Sequence, residues 1–260
     1  MLTVKCADAQ ISNMLGVGRI TMEYKYTEDA NYEDYSSGRV LYQRSGMTNF
    51  PVRLMNEIFL RCVSYSEKKE NLVLYDPCCG GGYMDTVLGM LHMDKIAKIY
   101  GSDVSKDALE VANRNASLLK AEGLEQRKSE LKIHYENYGK PSHLGAIQSC
   151  ENMIQRIGTM KKEIGVEFFC ADATKLIEIN RMKDLPDIIF ADVPYGNLVE
   201  WSCSNDAMID QLLEAMMTIT RKNTVIAICS DKHQKISIKP GIRKEKQLIG
   251  KRKFEIFLGE

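Results

Sequence analysis

Along most of the 260-residue chain, short apolar runs alternate with stretches in which apolar residues recur every three or four positions. The runs 71–75, 96–103, 166–172, 187–193 and 224–231 predict five strands. The fourth, "DIIFADV", is almost wholly apolar, as a strand buried on both faces must be. Between them, Met84, Val87, Leu88 and Leu91 share one helical face, and Leu109, Ala112, Ala116 and Leu119 share another behind a capping Ser105. "AMIDQLLEAMM" predicts a further helix. An earlier one begins near Pro51, with Asn49 as a candidate cap and Leu54, Ile58 and Cys62 on one face. "KQLIG" and "KFEIFLG" predict a terminal hairpin. Strands that alternate with helices build a mostly parallel, doubly wound α/β sheet, whose ligands bind at the carboxyl ends of the strands.

Two regions depart from this rhythm. Residues 1–48 are tyrosine-rich and irregular, with a strand expected at Arg39–Gln43, and read as an N-terminal extension to a domain over 49–260. Residues 121–165 are too many for a plain connection. Leu144, Ile147, Met153, Ile154 and Ile157 recur there with helical period, which predicts a helical insertion broken at "YGKPS".

Composition narrows the setting. No apolar run is long enough to span a membrane, and the N-terminus lacks the apolar core of a signal peptide, so a cytoplasmic protein is expected. Its eight cysteines are then expected as free thiols, and the lack of any C-x-x-C pair argues against zinc. Net charge is zero, yet Arg221–Lys253 holds eleven Lys or Arg against two acids. That stretch fits either a nucleic-acid surface, densest at Lys251, Arg252 and Lys253, or a solvated hairpin.

The candidate chemistry starts at "DPCCGGGY", which joins the first strand to a helix. A phosphate-binding loop needs G-K-[ST] after its glycines, and here Tyr83 and Met84 follow Gly82. A dinucleotide loop wants a third glycine where Asp85 stands. Asp76, ahead of the glycines, disfavours a pyrophosphate and suits a ligand with an ammonium group. S-adenosylmethionine has an ammonium, a sulfonium and no phosphate. The loop residues Cys78, Cys79, Gly80 and Gly82 would line its site. Asp103, ending the second strand with Val104 beside it, would accept ribose hydroxyls. Asp172, in "CADAT" with Ala173, would meet the adenine amine.

The fourth strand ends in "ADVPYG". Asp192, Pro194 and Tyr195 resemble the [DN]-P-P-[YF] motif of amino-methyltransferases, with Val193 in place of the first proline. That motif suits a carboxylate that takes a proton and a ring that stacks on a flipped base. The segments "FPVRLMNEIFLR", "DPCCGGGYMDTVLGMLH", "SDVSKDALEVANRN", "YGKPS" and "ADVPYG", with Trp201 shortly after, resemble the AviRa family of avilamycin-resistance ribosomal RNA methyltransferases. The resemblance implies a class I, Rossmann-like fold with seven strands, no metal, and methylation of a guanine nitrogen in large-subunit (23S) ribosomal RNA. It also singles out Arg53, either for a phosphate or base-edge contact or as a helix-surface arginine, while Trp201 is either a stacking platform beside Tyr195 or a core or lid anchor. The ring nitrogen of guanine is the expected acceptor, and a monomer the expected state. A protein or small-molecule amine methyltransferase, and a non-catalytic RNA-binding protein of the same fold, are the alternatives.

Overall fold

The computed structural model describes residues 22–44, 50–160, 162–179, 181–193 and 205–260. Seven strands form one sheet: β1 (Leu72–Asp76), β2 (Ile96–Asp103), β3 (Gly165–Cys170), β4 (Ile188–Asp192), β5 (Val225–Asp231), β6 (Ile242–Ile249) and β7 (Arg252–Leu258). Their spatial order is β3-β2-β1-β4-β5-β7-β6. The first five run parallel, while β7 pairs antiparallel with β5 and β6 closes the edge as its hairpin partner. The helices are α1 (Val52–Tyr65), α2 (Tyr83–Leu91), α3 (Lys106–Ser117), α4 (Ala121–Tyr138), α5 (Pro141–Gly158), α6 (Leu176–Ile179) and α7 (Asn205–Met217). None among the described residues is long and apolar enough to cross a membrane.

The apolar runs are continuous because both faces of the sheet are covered. In β4, Ile188 and Phe190 face a core that includes Leu54, Ile58, Val87 and Leu88, while Ile189 and Ala191 face Ile209, Leu212 and Met216. The chain between α4 and α5 turns at Gly139, in the left-handed conformation at φ 60°, and Pro141 opens the next helix. Leu124, Leu131, Cys150 and Met153 then add the two helices to the first of these cores.

Residues 39–43 form no strand. Val40 and Leu41 are buried as a strand's would be, but side chains satisfy the backbone. Arg127 donates to the Val40 carbonyl at 2.8 Å. The Asn115 amide accepts from Tyr42 N–H at 2.8 Å and donates to Tyr42 O at 3.0 Å. A second long-range tie holds the chain before it. Glu57, on α1 and fully buried, accepts from the backbone N–H groups of Lys25, Tyr26 and Thr27 and from the Thr27 hydroxyl, all within 3.0 Å. Arg61, one turn on, pairs with Glu57 at 2.7 Å and with Glu245 of β6 at 2.5 Å.

Candidate active site

The parallel strands β1, β2 and β4 bring Asp76, Asp103 and Asp192 to the same edge of the sheet. The turn after β1 is built on its neighbour β2. Cys79 N–H donates to Ser102 O at 2.9 Å, and the Ser102 hydroxyl reaches Pro77 O at 3.2 Å. Gly80 N–H donates to Asp103 Oδ2 at 3.0 Å, while Asp103 Oδ1 accepts from Ser105 N–H at 2.8 Å. Ser105 in turn caps α3 through Ala108 N–H at 3.2 Å. Asn115 of α3, fully buried, donates to Gly81 O at 2.8 Å as well as to Tyr42.

Two glycines serve different ends. Gly82 sits at φ 66°, where an added Cβ would come within 3.0 Å of Ala112 and Phe168. At Gly80, φ 51°, a Cβ would meet nothing within 4 Å. Gly82 therefore lets the loop close on α3 and β3, and Gly80 keeps its outer side clear for a ligand.

Asp76 lies almost wholly out of water and accepts from Cys78 N–H at 2.9 Å. Burial, with Asp85 next in weight, holds its carboxyl well above the ordinary range. Asp192 ends β4 with Oδ1 shut off from solvent and lacking a hydrogen-bond partner among the described residues. Burial pushes it up to about 7, against the pull of the Arg252 charge. Asp172, after β3, binds Thr174 N–H at 3.0 Å and the Thr174 hydroxyl at 2.6 Å, with Lys175 at 3.2 Å. These contacts, set against the cost of desolvation, hold Asp172 below its usual range. Ala173 is buried beside it, and Val104 is exposed beside Asp103.

Val193 has a physical reason to differ from proline. Its N–H donates to Cys229 O at 3.0 Å, carrying the β4–β5 ladder one residue past Asp192. A proline has no such donor. Pro194, Tyr195 and Trp201 lie outside the described residues.

The basic cluster divides. Because β7 is antiparallel, its first residue, Arg252, pairs with Asp231 at the carboxyl end of β5, on the side where the aspartates gather. Lys251 is exposed at the hairpin turn. Lys253 points inward, buried, with its ammonium on Gln234 O at 2.5 Å and Glu255 at 3.1 Å. It spends its donors inside the fold, a position the charge count gave no sign of. Arg53 lies over the Tyr24 ring at 4.1 Å and pairs with Asp29 at 2.8 Å, so its described contacts are with the N-terminal segment. Asp85, which in the sequence only breaks a glycine motif, is buried in the first turn of α2 with no partner for either oxygen among the described residues.

The donor set suits a ligand that is cationic at one end and rich in hydroxyls at the other: buried acids beside an open glycine and an anchored aspartate at the next strand. A curated relative from Streptomyces viridochromogenes, the 23S rRNA (guanine(2535)-N(1))-methyltransferase, is 32% identical over 228 residues, spanning 86% of this chain and 91% of that protein. The solved structure of the rRNA methyltransferase AviRa from the same organism superposes with a TM-score of 0.83 at 31% identity, covering 91% of this chain and 96% of that one. TrmN from Thermus thermophilus, at 13% identity and a TM-score of 0.51 over 84% of this chain and 50% of that one, shares the fold. The family described as rRNA methyltransferase AviRa matches residues 22–252, and this chain belongs to it.

Proposed function

We propose that the protein transfers a methyl group from S-adenosylmethionine to N1 of a guanine in 23S ribosomal RNA. Asp192 carries this reading: a buried carboxyl with an unpartnered oxygen, poised near neutrality at the end of β4. When bound, the cofactor supplies the methyl on a sulfonium, an already activated donor. Asp192 would accept the N1 proton, leaving the ring nitrogen free to take the methyl that the cofactor would supply. Tyr195 is the residue we assign to stacking on the flipped base, with Pro194 beside it in the sequence. Asp76 receives the ammonium, Asp103 the ribose hydroxyls and Asp172 the adenine amine, with Cys78, Cys79, Gly80, Gly82, Val104 and Ala173 as walls.

The deciding experiment incubates the protein with labelled cofactor and 23S RNA from cells that lack its gene, then maps the label. A methyl on N1 blocks base pairing, so reverse transcriptase should stop one nucleotide before the modified guanine. Confirmed methylation with clean read-through would instead assign the exocyclic amine. RNA that takes no label would return the chain to the protein or small-molecule amine methyltransferases.

Two substitutions separate the cofactor from the RNA. Asp103→Ala removes an acceptor for hydroxyl donors worth roughly 1.5–3 kcal/mol each. It also frees Gly80 N–H. Cofactor affinity should fall tenfold or more by titration calorimetry; unchanged affinity removes Asp103 from the site. Lys251→Gln should lower the salt slope of RNA binding by about 1. Lys253→Gln should leave the slope alone and lower the melting temperature, because its ammonium bonds lie inside the fold. Equal slopes in all three proteins would make the hairpin a bystander.

A further inference from the structure

Asp85 has no part in the chemistry above. It is the third residue of α2, where an acid ordinarily reaches back to cap the helix. Here the cap residue, Gly82, gives its N–H to Cys79 O at 2.8 Å, so that role is closed. Asp85 is 1% exposed, neither of its oxygens has a partner, and it joins no ion pair among the described residues. The carboxyl whose charge it most affects is Asp76, 2% exposed and equally without an ion pair among the described residues. The other groups coupled in charge to Asp76 or Asp85 are Asp192 from β4, Asp103 from β2 and the thiols of Cys78 and Cys79, and none of them is a cation. Two buried carboxylates, one bearing on the charge of the other, cannot both stay charged without a positive partner. Burial accordingly pushes Asp85 up to about 8.

We propose that Asp76 and Asp85 share one proton in the free protein, and that a ligand's ammonium group expels it on binding, with Asp85 the positioning residue that makes the site select a cationic amine. The inference rests on the cofactor reading above. The exchange balances: one carboxylic acid and one carboxylate, plus an ammonium, become two carboxylates around that ammonium, and one proton passes to buffer.

Calorimetry at pH 7 with S-adenosylhomocysteine, in buffers of different ionisation enthalpy, counts that proton directly. Release should approach one per ligand bound. 5′-Methylthioadenosine, which lacks the amino-acid end, should bind with none. Asp85→Asn should bind S-adenosylhomocysteine without release. No release in the parent, equal release with both nucleosides, or undiminished release in Asp85→Asn overturns the proposal. If that variant does not fold, the two nucleosides on the unaltered protein decide. Failure of both nucleosides to bind overturns the cofactor reading itself, and the proposal with it. A second readout needs no ligand. A carboxyl raised in the folded state stabilises it at low pH and loses that contribution as pH climbs, here from about 4 to about 8. The parent's melting temperature should fall across that window more steeply than that of Asp85→Asn.

Discussion

Asp192→Asn is expected to lower turnover by about 10²–10⁴-fold, the usual worth of a positioned general base. Cofactor affinity should barely change. The amide keeps the shape of the carboxyl and can still meet a base, but it cannot accept the N1 proton. In the parent, turnover should rise with pH through about 7 and then level, because Asp192 must lose its own proton before it can take another. Asp192→Asn should have no such limb. Arg252→Gln should shift the limb upward, since the Arg252 charge is what opposes the effect of burial. Loss of cofactor affinity with turnover intact would place Asp192 in the cofactor site alone.

Glu57→Ala should destabilise the fold by roughly 3–5 kcal/mol, the range for removing one partner of a buried ion pair. Five donors converge on this carboxylate: three backbone N–H groups, one hydroxyl and the Arg61 guanidinium. Its removal leaves Arg61, 1% exposed, with Glu245, the Glu23 carbonyl and the Phe254 ring among the described residues. Burial by itself would raise the Glu57 pKa, yet these donors reverse that and hold it below its ordinary value. The network's stabilisation is therefore present above the ordinary carboxylate range and fades as the pH falls through the lowered value. Urea unfolding at pH 7 measures the difference; a loss under about 1 kcal/mol would mean the network stabilises little beyond what α1 packing already secures.

What the sequence disclosed and what it hid divide along the range of the interaction. The strand ending at Asp76, the glycine loop, the Ser105 cap and the break between α4 and α5 are written in a few adjacent residues: a short apolar run, a run of glycines, a serine before a helix, a glycine followed shortly by proline. The hidden features depend on partners far away. Glu57 and Arg61 stand one helical turn apart in the sequence, and nothing local says that residues 25–27 will close over them. Arg39–Gln43 has the apolar content of a strand, but its backbone bonds to side chains 73 and 87 residues later. Lys253 counts as a basic residue whichever way it points. Asp85 was visible only as an absence, a glycine that was not there, because its meaning lies in the neighbour it is buried against.

Asn115 carries a consequence in time. Its one side chain fastens Tyr42, 73 residues earlier, and Gly81, 34 residues earlier. The glycine loop thus cannot reach its final set of bonds when β1 and α2 first come together; it must wait until α3 has been made and has docked. As the chain leaves the ribosome, the glycine loop is born early and locked late. Hydrogen exchange during refolding should show the amides of residues 79–82 gaining protection together with α3 rather than with the strand that precedes them.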